Sequence, residues 1–291
     1  MSAPAPTIPT GGTHPSAPPR PQQTPQRTPL RTPQRALLSA HKAACAQTGH
    51  TPNTLDALHA SIALAQAGLV DYIEIDVHRT LDGHLVIQHD RTINHAGTSH
   101  DFTRLTLAEA TGYLGRDLTT YETALTLFAD HHVKAHLDFK FTSPDDLYRH
   151  PHATYEAQAA HTALTILGPG RFILTTMEDA SVAAMRTWAD QAAPDTLIGL
   201  SLGRDLTTLN PWQQVRLRAS ELFPAHRVRA CGANLLVTQH VLADTRLLAW
   251  AHRHRLPVLV WTVDNARALN RYLTDPRVWM VTTNHPSRAH A

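Results

Sequence analysis

The sequence predicts an α/β fold of the (β/α)8 (TIM) barrel class, with a β-hairpin excursion after the second strand. Short apolar or alternating segments, which are typical of strands, recur between segments with helical spacing. These strand segments begin near residues 36, 72, 133, 171, 196, 233, 257 and 278. Strands that alternate with helices in this way over about 250 residues are the pattern of a (β/α)8 barrel.

The helices between these strands are predicted from apolar residues three and four positions apart and from capping signals. The first of them has an Asn-Thr cap at its start and Gly68 as its stop. The predicted helices span residues 53–67, 105–113, 121–129, 155–167, 178–191, 212–223, 241–255 and 265–273. Apart from its two helices, we expect the segment 92–130 to be a loop.

The segment from Asp71 to Asp90 carries both the second strand and the hairpin. Ile73, Ile75 and Val77 alternate with Glu74 and Asp76, which places the apolar and the acidic side chains on opposite faces of the strand. By itself, this alternation also fits an amphipathic strand whose acidic face is solvated.

The pair Asp82-Gly83 is a strong hairpin signal, because both central residues of the tight turn need a positive φ. Residues 85–88 are predicted to be the return strand. If the turn is centred on this pair, Asp76 lies opposite His89 and on the same face. A bulge would shift that register by one residue.

Composition limits the class of protein. The chain has 291 residues and a formal charge of +2. The first 35 residues carry four arginines and no acid, so the rest of the chain is close to −2. This balance argues against nucleic acid as a partner.

Residues 1–34 contain ten of the 20 prolines, and this composition predicts a disordered tail ahead of one catalytic domain spanning residues 35–291. Cys45 and Cys231 have no motif spacing and fit a reducing compartment. Neither a transmembrane segment nor a signal peptide is recognisable, so we expect a cytoplasmic protein. The sequence does not predict an oligomeric state.

Polar residues cluster where predicted strands end. His41, Glu74, Asp76, Asp138 and Lys140 occupy such positions, and the hairpin adds His89. The carboxyl ends of barrel strands meet at one mouth, where the chemistry of this fold takes place. The chain has only three lysines among its 26 basic residues, so a lysine at this position is informative.

Three carboxylates form a hard, oxygen-rich site that suits Mg²⁺ or Ca²⁺ better than zinc. Such an ion can neutralise a phosphate oxygen while two histidines transfer protons on either side of phosphorus. A lysine adds a second positive charge for the anion. This set of residues therefore predicts cleavage of a phosphodiester.

The order of short motifs over residues 35–286 resembles the glycerophosphodiester phosphodiesterases. The family's His-Arg-Gly, Glu-Asn-Thr, Glu-x-Asp-Val and His-Asp appear here as HKA at 41–43, PNT at 52–54, EIDV at 74–77 and HD at 89–90. A Lys-Asp-Gly-like turn and Leu-Thr-Leu-Ala-Glu appear as LDG at 81–83 and LTLAE at 105–109. Glu-Leu-Lys, Trp-Thr-Val-Asn and Thr-Asp-x-Pro appear as DFK at 138–140, WTVD at 261–264 and TNHP at 283–286.

The resemblance implies roles for individual residues and a small or lipid-derived phosphodiester as substrate. Glu74, Asp76 and Asp138 would bind the metal, and His41 and His89 would form the acid–base pair. Lys42 and Lys140 would hold the phosphate. Trp261 would line the pocket wall, although a tryptophan of the barrel core is an equally good interpretation.

Several positions depart from the family pattern, and three of them bear most directly on the candidate site. Lys42 replaces an arginine, Pro52 replaces a glutamate, and Asp138 shortens a metal ligand by one methylene, about 1.5 Å. An Asp-x-Lys segment is similar to that of the spider-venom sphingomyelinase D branch, which forms a cyclic phosphate by internal transfer. That reaction is one alternative function, and a barrel that binds a phosphorylated ligand without catalysis is another.

Overall fold

The computed structural model of the protein describes residues 35–207 and 209–290. The predicted tail, residues 1–34, lies outside the described residues. The strands are β1 (Leu37–Ala40), β2 (Tyr72–Arg79), β3 (Leu85–Ile87), β4 (Thr92–His95), β5 (Thr98–Asp101), β6 (Thr119–Thr120), β7 (Lys134–Phe139), β8 (Phe172–Thr176), β9 (Ile198–Leu202), β10 (Leu235–Gln239), β11 (Val258–Trp261) and β12 (Met280–Thr283).

Eight of these strands form a closed parallel barrel, which confirms the predicted fold class. Their order is β1, β12, β11, β10, β9, β8, β7 and β2, and β1 also pairs with β2 to close the ring. Each of the eight begins within two residues of its predicted position.

Helices surround the barrel between successive strands. They are α1 (Cys45–Thr48), α2 (Leu55–Gln66), α3 (Leu107–Leu114), α4 (Tyr121–Asp130), α5 (Tyr155–Leu167), α6 (Asp179–Ala192), α7 (Pro211–Leu222), α8 (Ala225–Cys231), α9 (His240–Leu242), α10 (Leu248–Arg253) and α11 (Ala266–Thr274). A π-helical segment, Ala243–Leu247, joins α9 to α10. No helix in the described ranges is long and apolar enough to span a bilayer.

Side-chain caps start several of these helices. The Thr54 hydroxyl accepts a hydrogen bond from the Ala57 amide at the start of α2. Thr106 and Glu109 form a capping box at the start of α3, in which each side chain bonds to the backbone of the other. Such caps satisfy amides that have no partner within the helix, and they explain why the predicted helix starts are accurate.

The hairpin after β2 forms as predicted, but its predicted register is wrong by one residue. Arg79 pairs with Leu85, and the Gln88 amide donates to the Asp76 carbonyl over 3.0 Å. Asp76 is therefore opposite Gln88 and not His89. The connection is a three-residue loop in which Gly83 has a φ of +94°, so the turn carries the bulge that shifts the register.

The prediction that residues 92–130 form a loop apart from two helices is also wrong in part. Strands β4 and β5 pair as a second, separate hairpin, and β6 adds a two-residue strand next to β3. The β4–β5 hairpin and β6 are short and contain few β-branched apolar residues. They therefore lack the periodic pattern from which the barrel strands were predicted.

The two faces of β2 have different surroundings. Ile73, Ile75 and Val77 belong to the apolar core between the barrel and its helices, whereas Glu74 and Asp76 face the barrel interior. These two acids are only 2% and 1% exposed, so the interpretation of β2 as a strand with a solvated acidic face is wrong. Below them, an apolar layer fills the barrel, including Tyr72, Ile173 and Leu259. The interior is therefore polar towards the carboxyl ends of the strands.

Candidate active site

Three acidic side chains meet at the carboxyl-terminal mouth of the barrel. Glu74 and Asp76 lie on β2 and Asp138 lies on β7, where the strand register pairs Asp76 directly with Asp138. Each residue offers one carboxylate oxygen, and these atoms lie within 4.8 Å of one another. Adjacent parallel strands thus bring together acids that are 62 positions apart in sequence.

Each carboxylate is held by a donor from another part of the chain. The Asn53 amide donates to Asp76 Oδ2 over 3.0 Å, and the Thr175 hydroxyl donates to Asp138 Oδ1 over 2.6 Å. The backbone amide of Lys42 donates to Glu74 Oε2 over 2.6 Å. These donors fix the orientation of the three acids, which is a requirement for a preorganised site.

The turn that supplies the Lys42 amide is strained. Lys42, Ala43 and Ala44 all have positive φ angles, between +49° and +59°. This conformation costs about 1–2 kcal/mol for each residue other than glycine. Strain of this kind is concentrated at functional sites, and here it turns the amide towards Glu74.

Lys140 is the cation closest to the acidic cluster in the described structure. Its Nζ atom lies 3.0 Å from Asp76 Oδ1 and forms an ion pair with Asp138. Burial alone would lower the pKa of Lys140, but the three carboxylates outweigh burial and raise it. The lysine is therefore a fixed positive charge beside the acids.

The pKa values of the acids reflect crowding of negative charge. Burial, together with Asp76 and Asp138, raises the pKa of Glu74 well above its ordinary value. Burial alone would also raise the pKa of Asp76, but the Lys140 ammonium and smaller contributions, among them the hydrogen bond from Asn53, together outweigh it and lower the pKa to about 2. One ammonium does not balance three carboxylates, so the cluster favours an additional cation.

The donor set fits a divalent metal ion. Asp76 Oδ1 is buried and accepts no hydrogen bond from the described residues, although the Lys140 ammonium is close to it. The other candidate ligands are carboxylate oxygens as well, and hard oxygen ligands suit Mg²⁺ and Ca²⁺. Glu74, Asp76 and Asp138 are thus the residues that could hold such an ion.

Both predicted catalytic histidines lie at the same mouth. His41 Nε2 is 4.0 Å from Glu74 Oε2, and its Nδ1 is 2.9 Å from Asn284 Oδ1. Burial lowers the pKa of His41 to about 4, so its ring is neutral at pH 7. His89 follows the return strand of the hairpin, and its Nδ1 lies 2.6 Å from Asp90 Oδ1.

Two of the acids, Asp76 and Asp138, line a cavity of about 210 Å³ together with His41 and His89. The described residues of its opposite wall, at the ends of β8 to β11, are all uncharged: they are Thr175, Met177, Ser201, Val237 and Trp261. Trp261 also packs against the apolar layer in the barrel, so both predicted interpretations of this residue are compatible with its position. A larger groove of about 540 Å³ lies between α5 and α6; none of the described residues that line it carries a carboxylate, and it shares no lining residue with the cavity at the mouth.

Several polar residues of the site were not predicted as site residues, and His136 and Thr175 are examples. Since Thr175 donates its proton to Asp138, it must accept from His136 Nε2, which lies 3.0 Å away. Burial lowers the pKa of His136 to about 4. His136 is two residues before Asp138 on β7, so the alternation of that strand already placed it on the inner face.

Comparisons with known proteins agree with this geometry. The sequence pattern of the glycerophosphoryl diester phosphodiesterase family matches residues 43–288. Glycerophosphodiester phosphodiesterase GDPD4 of Arabidopsis thaliana is 27% identical over 268 residues, covering 84% of this chain and 70% of that protein.

Solved structures show the same fold. A glycerophosphodiester phosphodiesterase from Parabacteroides distasonis superposes with a TM-score of 0.67 at 16% identity, covering 88% of this chain and 96% of the other. A phosphodiesterase from Oleispira antarctica, in complex with the product sn-glycerol-3-phosphate, gives a TM-score of 0.62 at 17% identity. This match also covers 88% of this chain and 96% of the other. The match of the family pattern over most of the chain shows that this protein belongs to the glycerophosphoryl diester phosphodiesterase family, and so to the phosphoric diester hydrolases.

Proposed function

We propose that the protein hydrolyses a glycerophosphodiester to sn-glycerol 3-phosphate and an alcohol, and that the reaction needs a divalent cation. The observation that carries this proposal is the grouping of Glu74, Asp76 and Asp138 within 4.8 Å, next to a cavity that Asp76 and Asp138 line together with His41 and His89. The Oleispira antarctica phosphodiesterase was solved with sn-glycerol-3-phosphate as its product, which supports this choice of product.

The charged residues would bind and neutralise the phosphate. Glu74, Asp76 and Asp138 would hold Mg²⁺ or Ca²⁺, and a bound ion would neutralise negative charge on a phosphate oxygen. Lys140 and Lys42, which both line the same cavity, would supply further positive charge to the anion. Lysine acts here as a point charge, without the two-pronged grip of an arginine.

The two histidines would transfer the protons. His41 accepts the proton of the attacking hydroxyl as the new bond to phosphorus forms, since its neutral ring has a lone pair at pH 7. His89 gives a proton to the leaving alkoxide as the old bond breaks. The Asp90 carboxylate, 2.6 Å from His89 Nδ1, can accept a hydrogen bond from that nitrogen and so orient the ring.

The attacking hydroxyl is either water or a hydroxyl of the substrate itself. A hydroxyl beside the phosphodiester is tethered to phosphorus, and such attack reaches effective molarities of about 10⁵ M or more. It yields a cyclic phosphate, which water then opens after the histidines exchange roles. Net hydrolysis is the outcome of both routes.

A screen of phosphodiesters by ³¹P NMR tests the proposed function. With Mg²⁺ or Ca²⁺ present, we expect a glycerophosphodiester to give the resonance of sn-glycerol 3-phosphate, and EDTA to abolish it. Hydrolysis at the same rate in EDTA would contradict the metal requirement. A phosphomonoester formed only from diesters without glycerol would contradict the proposed substrate.

A further inference from the structure

A carboxylate and an amide at the ends of the last two barrel strands connect to His41. Asp264 follows β11 and Asn284 follows β12. Asn284 Nδ2 donates to Asp264 Oδ2 over 2.8 Å, and the Asn284 backbone amide donates to Asp264 Oδ1 over 2.9 Å. On its other side, Asn284 Oδ1 lies 2.9 Å from His41 Nδ1.

Asp264 is itself firmly held. The Thr283 hydroxyl donates to Asp264 Oδ1 over 3.2 Å, and Arg288 donates to the Asp264 carbonyl over 2.6 Å. Burial alone would raise the pKa of Asp264, but the hydrogen bonds from Asn284 and Thr283 outweigh it and lower the pKa. Asp264 is therefore an ionised carboxylate at neutral pH, and it can only accept hydrogen bonds.

This requirement determines which way the Asn284 amide points. An acceptor at Asp264 needs the NH₂ group of Asn284 facing it, so the amide oxygen faces His41. An oxygen at 2.9 Å from His41 Nδ1 requires that nitrogen to carry the proton. The other ring nitrogen, Nε2, then has the lone pair, and it is the nitrogen that faces the acidic cluster.

We propose that Asp264 and Asn284 are positioning residues, which hold the His41 ring in the tautomer whose Nε2 can accept a proton at the reaction centre. The proposal rests on the proposed function, in which His41 accepts that proton. Neither residue needs to contact the substrate, because each acts through His41. The arrangement is a carboxylate–amide–imidazole chain, and it spans 243 positions of sequence between His41 and Asn284.

The two motifs that carry these residues give the proposal a natural test. The family segments that they resemble read Trp-Thr-Val-Asn and Thr-Asp-x-Pro, whereas this chain has Asp264 in the first and Asn284 in the second. Both arrangements contain one carboxylate and one amide. The exchange of both residues should therefore preserve the hydrogen bonds, while the exchange of one should not.

Asp264→Asn is the decisive single variant, because it changes almost no volume. Its NH₂ group would face the NH₂ group of Asn284, which forces the Asn284 amide to turn its oxygen away from His41. The NH₂ of Asn284 then needs an acceptor at His41 Nδ1, so the proton moves to Nε2. Since the wrong tautomer blocks proton acceptance, we expect kcat to fall by about 10²–10⁴-fold with little change in KM.

The double variant Asp264→Asn/Asn284→Asp should recover most of that loss. The carboxylate introduced at position 284 would accept from His41 Nδ1 and from the amide introduced at position 264. Long-range ¹H–¹⁵N NMR spectra of protein labelled in histidine report the tautomer directly, and the His41 signals are identified by their absence in His41→Asn. We expect the Nδ1–H form in the wild type and the double variant, and the Nε2–H form in Asp264→Asn.

These measurements separate the two proposals. If His41→Asn retains wild-type kcat, the proposed function of His41 is wrong. If His41→Asn is inactive while Asp264→Asn keeps both wild-type kcat and the Nδ1–H form, the positioning role is wrong. If Asp264→Asn does not fold, the double variant still tests the positioning role. A double variant that does not regain folding, kcat and the Nδ1–H form would overturn the proposal.

Discussion

The two halves of the barrel mouth differ in how they are built. The acidic half, at the ends of β2 and β7, consists of Glu74, Asp76, Asp138 and Lys140. The uncharged half, at the ends of β9 to β11, presents Ser201, Val237 and Trp261. Because charged side chains among these residues lie only in the acidic half, the phosphate of a substrate would bind there. The organic part of the substrate would then contact the uncharged half.

The two halves are also stabilised differently. The carboxylates of the acidic half accept hydrogen bonds from Asn53, Thr175 and the Lys42 backbone amide. The uncharged half depends on packing, and the buried Trp261 Nε1 has no hydrogen-bond partner among the described residues. Changes in the acidic half should therefore affect the reaction far more than changes in the uncharged half.

The largest effect is expected for Asp76→Asn. This change keeps a hydrogen-bonding side chain next to Asn53 but removes one of the three candidate metal ligands. Since a bound ion supplies several kcal/mol of transition-state stabilisation, we expect kcat/KM to fall by about 10³-fold or more. Calorimetric titration with Mg²⁺ or Ca²⁺ should show weakened binding.

The matched control is Asp130→Asn, which removes an exposed carboxylate at the end of α4. It should leave both metal affinity and kcat/KM unchanged. An Asp76→Asn protein with wild-type metal affinity would remove Asp76 from the proposed ligand set.

The second-largest effect is expected for the two histidines that would transfer protons. We expect His41→Asn and His89→Asn each to lower kcat by about 10²–10⁴-fold, which is the usual contribution of general acid–base catalysis. Steady-state kinetics at saturating metal measures the change, with the exposed His252→Asn on α10 as control. Near-normal turnover in either site variant would exclude that histidine from the mechanism.

A smaller effect should follow from Trp261→Ala in the uncharged half. Loss of its contact area should weaken substrate binding by about 1.5–3 kcal/mol, or roughly 10- to 150-fold in KM, with kcat less affected. Trp212→Ala, on a side chain that is 74% exposed, is the control. If Trp261→Ala instead lowers kcat as strongly as a histidine variant, the division of roles between the two halves is wrong.

The smallest effect is expected from deletion of residues 1–34. Their composition cannot contribute an apolar core, so the thermal midpoint and kcat should match those of the full-length chain. Differential scanning fluorimetry and the same kinetic assay test this. A large fall in either quantity would show that the tail contributes to the fold or to turnover.

The sequence predicted the acidic half more completely than the rest of the site. Glu74, Asp76 and Asp138 lie in alternating strands, and the alternation puts each on the face opposite its apolar neighbours; the barrel fold makes this the inner face. The fold class followed from eight repetitions of one local pattern. Local patterns are encoded within a few residues, which is why the predicted fold class is confirmed.

Contacts between distant segments could not be predicted in the same way. The pairs His41–Asn284 and Asp138–Thr175 depend on how strands far apart in sequence are staggered around the barrel. The hairpin register was wrong for a related reason. The pair Asp82-Gly83 fits a two-residue and a three-residue loop equally well, and only the backbone conformation decides between them.

The central claim is that the acidic half binds a divalent cation that hydrolysis of a glycerophosphodiester requires. The most direct measurement is a ³¹P NMR time course with metal-stripped protein, to which Mg²⁺ or Ca²⁺ is then added, run in parallel with an analogue that lacks the neighbouring hydroxyl. We predict no turnover before addition and a phosphomonoester afterwards; a cyclic phosphate that appears and decays would indicate attack by the neighbouring hydroxyl. Phosphomonoester formation at full rate by the metal-stripped protein, or a cyclic phosphate as the final product, would contradict the claim.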